Sequence, residues 1–99
     1  MLWRHGDVLI AATGSIPQDA RRRPTPVLVW GELTGHSHRI AAPETAELWE
    51  HGETLYLNVL AGTATVIHEE HKPITLPRGF YRVWTQREYA PQHIRRVVD

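Results

Sequence analysis

Short apolar stretches with strand-like alternation recur along the chain. The first two, residues 7–12 (DVLIAA) and 26–33 (PVLVWGEL), are rich in β-branched and aromatic residues and are bounded by Gly or Pro. Further stretches of the same kind follow at even spacing, at residues 33–40, 46–50, 54–60, 62–68, 73–77 and 79–89. About seven or eight strands at this spacing predict an all-β fold, a small single-domain barrel or sandwich.

The connections between these stretches carry turn signals. Residues 51–53 (HGE) suit a β-hairpin, although residues 43–52 (PETAELWEHG) also fit a two-turn helix with Pro near its start and Gly at its end. We favour the hairpin. Three prolines and three consecutive arginines within residues 13–26 predict a loop, and residues 90–99 read as a short tail. The whole chain, 1–99, fits one domain.

Alternation also predicts which residues form the core. The expected inward positions are Val8, Ile10, Val29, Ile40, Leu55, Leu57, Val59, Val66, Ile74, Leu76 and Val83. Four tryptophans are more large apolar surface than one barrel of 99 residues is expected to hide. We therefore expect a homo-oligomer, with Trp84 as the first candidate for the contact.

Composition removes several classes of function. Eleven basic and eleven acidic residues cancel, so no overall field attracts nucleic acid or an anionic membrane, and neither partner is expected. The chain has no cysteine, which leaves imidazole and carboxylate as the strong metal ligands. The apolar run VLIAA near the start is too short for a signal peptide or a membrane span, so a cytoplasmic protein is the default expectation.

An H-x-H pair lies in residues 33–40 (LTGHSHRI). His36 and His38 share a strand face with Ile40, and the same rule groups His68 with Val66 on an inward row. Three inward imidazoles are costly to bury unless they bind something, because an unsatisfied buried polar group costs about 1–3 kcal/mol. A bound metal ion removes that cost, so the pattern favours a metal site.

The candidate site is one divalent metal ion held by His36, His38 and His68, with His71 or Glu70 completing the coordination. Imidazole suits zinc, iron and nickel, which the pattern does not distinguish. Whether the protein is an enzyme is open. If it acts on a small-molecule ligand, the candidate proton carriers are Glu69, Glu70 and Tyr81. The remaining histidines, His5, His51 and His93, have no partner at ligand spacing and are expected to lie outside the site.

Two other classes of function stay open. In the first, the histidines form a hydrogen-bonded cluster in a homo-oligomeric interaction module. In the second, a metal-free phosphodiester hydrolase uses His36 and His68 as acid and base, with Arg39, Arg82 or Arg87 gripping phosphate. The balanced charge argues against the hydrolase, since phosphate contacts normally dominate affinity for nucleic acid.

The islands HGDVLI, GELTGHSHRI, HEEHKPITLPRGFYRV and QREY resemble an uncharacterised family of short bacterial and phage-encoded proteins. That resemblance implies a shared site at His36, His38, His68 and His71 but no activity. More loosely, HSH followed by VLAGTATV and ITLPRGFYRV is similar to the cupin pattern, which implies a metal inside a small β-barrel. The cupin glutamate has only approximate matches at Glu44 and Glu47, and Arg82 stands where a cupin has a further histidine. His68 or His71 would have to replace the missing ligand.

Overall fold

The computed structural model describes residues 2–31 and 35–86, and within them the chain is all-β. An antiparallel sheet of eight strands curls into a half-barrel. Its strands are β1 (Leu2–His5), β2 (Val8–Thr13), β3 (Arg21–Arg23), β4 (Val27–Trp30), β5 (Ser37–Ile40), β6 (Ala46–His51), β7 (Thr54–His68) and β8 (His71–Thr85). No helix in these residues is long and apolar enough to cross a membrane.

One long hairpin, β7–β8, organises the sheet. Each strand has 15 residues, and their register shifts between Val59 and Thr63 of β7, opposite Gly79 and Pro77 of β8. Extra residues on one strand bend it and increase its twist, so the hairpin changes direction here. Before the bend β7 pairs with β6, and after the bend it pairs with β5. The hairpin therefore joins two parts of the sheet around one core.

The core follows the predicted inward rows. Eight of the predicted positions are buried: Val8, Ile10, Ile40, Leu57, Val59, Val66, Leu76 and Val83. The other three, Val29, Leu55 and Ile74, are partly buried and pack against the core. Leu28, Leu48 and Tyr81 belong to the core as well, although they were not among the predicted positions. Strand alternation thus placed most of the core correctly.

The segmentation of the strands differs from the prediction. The hairpin at residues 51–53 is confirmed, with Gly52 at φ 62° and His51 opposite Thr54, while the alternative helix shrinks to a 3-10 turn at Pro43–Thr45. Residues 62–68, 73–77 and 79–85 are not separate strands, because they continue β7 and β8 through the bend.

Two further strands were missed. The arginine run in the predicted loop 13–26 forms β3, which pairs with the outer edge of β6. Arg22 Nη1 lies 3.2 Å from Glu47 Oε2, so opposite charges on the two strands support this pairing. The second missed strand is β1, which pairs with β2. The predicted tail 90–99, with His93, and Arg87 lie outside the described residues.

Large apolar side chains remain at the surface of the described chain. Trp30 is 65% exposed, Leu2 61%, Leu60 41% and Phe80 38%. Trp84 is half-buried, with the Arg82 guanidinium carbon 4.8 Å from its ring centroid. These exposed surfaces suit a homo-oligomer, which stays a prediction. Trp30 is a second candidate for the subunit contact, in addition to Trp84.

Candidate metal centre

Five histidines converge at one end of the half-barrel. They are His5 at the end of β1, His36 directly before β5, His38 at the start of β5, His68 at the end of β7 and His71 at the start of β8. Ring centroids of the contacting pairs lie between 4.4 and 6.4 Å apart. The four histidines proposed from the sequence therefore do come together, and a fifth joins them.

Strand pairing explains this convergence. On β7 the buried residues Ala64 and Val66 lead along one face to His68, as alternation predicts. His71 pairs with His68 across the tight β7–β8 connection. Strand β5 lies beside the far half of β7, and this pairing brings His38 next to His68, with 4.4 Å between ring centroids. His68 thus ends an apolar inward row of β7, and His38 shares a buried face of β5 with Ile40.

Two overlapping sets of side chains could hold a metal ion. His38, His68 and His71 each offer one ring nitrogen, and these nitrogens all lie within 4.8 Å of one another. His36, His68 and Glu69 form the second set under the same limit. The three ligands proposed from the sequence are thus divided between the sets. His36 lies at the rim, its side chain 25% exposed and its Nδ1 3.8 Å from Glu70 Oε2.

His5, expected to lie outside the site, is at its centre. It is 1% exposed, its Nδ1 lies 2.8 Å from His38 Nδ1, and its Nε2 lies 3.0 Å from the carbonyl oxygen of Lys72. The sequence contains one indication of this position. Residues two apart in a strand lie on the same face, so His5 shares a face with Trp3, which packs against the core. That indication required recognising β1 as a strand.

Burial keeps the two central histidines uncharged. Desolvation is the largest effect on His38, and together with the neighbouring charges of His5 and His68 it lowers the pKa of His38 to about 4. Desolvation likewise lowers the pKa of His5, against the opposing effect of its bond to Lys72. Both rings are therefore neutral at pH 7, which is the state in which imidazole coordinates metal.

The β1–β2 turn packs directly against the cluster. Gly6 has φ 65°, a conformation that favours glycine. A Cβ at this position would lie 2.7 Å from His71 Nε2 and 3.1 Å from His38 Cε1. The missing side chain of Gly6 therefore leaves room for both rings. The next residue, Asp7, brings its Oδ1 to 3.8 Å from His38 Nε2.

The two glutamates between His68 and His71 have different surroundings. Glu69 accepts the backbone N–H of Ser37 at 3.1 Å and pairs with Arg39 Nη1 at 2.9 Å. Its own backbone N–H, the Ser37 N–H and the Arg39 charge lower the pKa of the Glu69 carboxyl. Glu70 is exposed, and its backbone N–H donates to His68 Nδ1 at 3.0 Å. Glu69 thus anchors the β7–β8 connection to β5, whereas the Glu70 carboxylate lies at the rim of the histidine cluster.

Tyr81, the third candidate proton carrier, lies in the core. Its ring makes an edge contact with Trp3 at 5.4 Å between centroids, and its hydroxyl donates to the carbonyl of Pro77. Burial raises the pKa of Tyr81. These contacts support a role in holding the bend of β8. His51 lies at the surface as expected, with Nε2 3.0 Å from Asp19 Oδ1.

Fold and site together define a small β half-barrel with a histidine cluster that could bind a metal ion. The sequence model of a domain of unknown function, DUF8820, matches residues 4–86, and the chain belongs to that family. The matched range contains all five clustered histidines. No curated protein and no solved structure matches the chain, and the cupin resemblance is not confirmed.

Proposed function

We propose that this protein binds one divalent metal ion through His38, His68 and His71, with an open coordination position for water or a small-molecule ligand. The observation that carries the proposal is the set of three imidazole nitrogens within 4.8 Å of one another. Three protein ligands plus one open position is the arrangement of catalytic rather than structural zinc sites. Zinc, iron and nickel all suit an imidazole set without thiolates.

The spacing of the rings suits closure around an ion. Nitrogens bound tetrahedrally at about 2.0–2.1 Å from zinc lie roughly 3.4 Å apart, so from separations within 4.8 Å the rings need to move inward by at most about 1 Å. His68 and His71 flank the two-residue connection Glu69–Glu70, and His71 is exposed. Small torsions at this end of the hairpin supply the movement without disturbing the core.

His68 has to change its hydrogen bonding when the ion binds. Its Nδ1 accepts the Glu70 N–H, which in a neutral ring places the proton on Nε2. Coordination through Nε2 therefore requires that proton to move to Nδ1 and the Glu70 N–H to turn away. Binding is for this reason coupled to a rearrangement of the Glu69–Glu70 connection.

If the bound ion activates water, the rim offers one carboxylate suited to proton transfer. Glu69 is occupied by Arg39 and Ser37. The Glu70 carboxylate is exposed and lies 3.8 Å from His36 Nδ1. We therefore assign the role of proton carrier to Glu70, with His36 beside it. A water bound to a divalent metal has a lowered pKa and supplies the nucleophile in such a site.

A second candidate is a homo-oligomeric interaction module whose histidines are structural. The bonds from His5 to His38 and from Glu70 to His68 favour it, because they satisfy part of the cluster without an ion. The 65% exposure of Trp30 supplies an apolar contact. Such a module keeps its oligomeric state and melting temperature when a chelator is added, whereas a metal-binding protein loses stability.

Calorimetric titration of untagged protein with zinc, nickel and ferrous iron tests the metal proposal. We expect one ion per chain. His71→Ala removes an exposed ligand, so it should leave the fold intact and weaken binding by at least about 100-fold, more than loss of a group that only orients a ligand. His51→Ala, a change at an exposed histidine paired with Asp19, is the matched control and should bind like the parent. Equal affinity of both variants would refute the proposed ligand set.

A further inference from the structure

The hydrogen bonds of His5 determine where its proton lies. His5 Nε2 is 3.0 Å from the carbonyl oxygen of Lys72. A carbonyl oxygen only accepts hydrogen bonds, so His5 Nε2 carries a proton and donates it. A neutral imidazole has one N–H, and the other ring nitrogen of His5, Nδ1, is therefore an acceptor.

That acceptor determines the proton position on His38. The two Nδ1 atoms of His5 and His38 lie 2.8 Å apart, a distance that requires a hydrogen between them. Because His5 Nδ1 accepts, His38 Nδ1 must donate. The single proton of the neutral His38 ring is then on Nδ1, and Nε2 keeps its lone pair.

A carboxylate lies close to His38 Nε2. Asp7 Oδ1 lies 3.8 Å from this nitrogen. Two electron-pair donors at this separation favour a cation between or beside them. His38 is also one of the three imidazoles whose nitrogens lie within 4.8 Å of one another.

We infer that His5 is the positioning residue of this site, holding His38 in the tautomer whose Nε2 is available to a metal ion. The relay runs from the carbonyl of Lys72 on β8, through His5 on β1, to His38 on β5. Metal-bound histidines in general donate their other N–H to a fixed acceptor, which sets the tautomer and makes the ligand more basic. In this protein the acceptor is a second histidine, itself fixed by the backbone. The consequence for affinity rests on the proposed function, whereas the tautomer itself does not.

Nitrogen-15 NMR of the histidine rings in metal-free protein tests the tautomer directly. At pH 7.5 with chelator present, we expect His38 to show a protonated Nδ1 and an unprotonated Nε2. His5 should show the opposite pattern. A His38 ring protonated on Nε2 would overturn the inference.

Variants of His5 test the consequence for binding. His5→Phe keeps a ring but removes the acceptor, so zinc binding should weaken by about 10- to 100-fold, the usual effect of losing a group that orients a ligand. His5→Asn keeps an oxygen near the position of Nδ1 and should restore the His38 tautomer and bring binding to within about fivefold of the parent. His51→Phe is the matched change in the other His-Gly turn, and it should leave the zinc affinity and the His38 tautomer unchanged.

The outcomes separate this inference from the proposed function. A folded His5→Phe variant with parental zinc affinity would overturn the inference and leave the metal site standing. A parent that binds no ion would refute the metal site, while the measured tautomer of His38 would still decide the inference. If His5→Phe does not fold, the tautomer of the parent and the affinity of His5→Asn decide it.

Discussion

Two hairpin turns in this chain share the pattern His-Gly-acid. His5, Gly6 and Asp7 join β1 to β2, and His51, Gly52 and Glu53 join β6 to β7. Their backbones agree, since the two glycines have φ of 65° and 62° and each histidine pairs with the residue three positions on. Yet His5 is 1% exposed and bonded to His38, whereas the side chain of His51 is 43% exposed and paired with Asp19.

The local sequence thus determines the backbone conformation of each turn, whereas the strand pairing determines whether its histidine is buried or exposed. Strand β2 pairs with β8 so that Val8, next to the first turn, lies opposite Thr85 at the end of β8. The curl of the sheet then brings His5 into contact with Lys72 near the start of β8 and with His38 of β5. Strand β6 lies farther out and pairs with the edge strand β3, so the second turn is exposed to solvent. A polar side chain in the first turn must find buried partners, whereas one in the second turn bonds at the surface. The difference between the turns is therefore tertiary, and paired substitutions can measure it.

The largest expected difference is in acid stability, between His38, which the first turn packs against, and His51 in the second turn. In chelator-treated protein the pKa of His38 is about 4 against an ordinary value of 6.5, so the unfolded state binds the proton more readily. The stabilisation is complete above pH 6.5 and is lost as the pH falls towards 4, amounting to about 3 kcal/mol, and His5 shifts in the same direction.

Urea unfolding at several pH values between 4 and 7 measures this loss. His38→Gln should flatten the dependence on pH, and His51→Gln should leave it as steep as in the parent. Equal slopes for the parent and His38→Gln would show that the cluster is not the source of the acid sensitivity.

The second expected difference concerns the glycines. Gly52→Ala should cost about 1–2 kcal/mol of stability, because L residues pay that amount in the left-handed region, and a new Cβ there meets nothing within 4 Å. Gly6→Ala should cost more, because its Cβ would lie 2.7 Å from Nε2 of the exposed His71 and also 3.1 Å from Cε1 of the buried His38, which has less freedom to move. It should also push the His71 ring aside and weaken zinc binding by about tenfold, near 1.4 kcal/mol.

Thermal unfolding and zinc titration of both alanine variants separate the two effects. A larger loss of stability and a weaker zinc affinity in Gly6→Ala than in Gly52→Ala would support the close packing of the first turn against His71 and His38. Equal zinc affinity in the two variants would contradict it.

The smallest expected difference lies in the acidic residues. Asp7→Asn removes a charge 3.8 Å from His38 Nε2 and should weaken zinc binding by about threefold, or roughly 0.6 kcal/mol, in the range of partly exposed charge pairs. Glu53→Gln, in the exposed turn, should have no effect. Titrations at low and high salt provide a check, because the contribution of Asp7 should shrink as salt increases. An effect of Asp7→Asn that does not depend on salt would point to direct coordination instead.

Alternation explains how much of this structure the sequence could predict. It placed the core rows of β2, β7 and β8 and the inward direction of His38 and His68, because side-chain direction in a strand is a local property. It did not reveal that β7 runs through the bend, that the arginine run pairs with β6, or that His5 meets His38. These features depend on which strands are neighbours, and His5 and His38 are 33 residues apart in sequence.

The most direct test of the central claim is the metal content of untagged protein, measured by elemental analysis against protein concentration. A site built by His38, His68 and His71 predicts about one divalent ion per chain in the parent, retained in His51→Ala and lost in His71→Ala. A parent that contains no metal, and that takes up none after incubation with zinc, nickel or ferrous iron, would contradict the claim and leave a hydrogen-bonded histidine cluster.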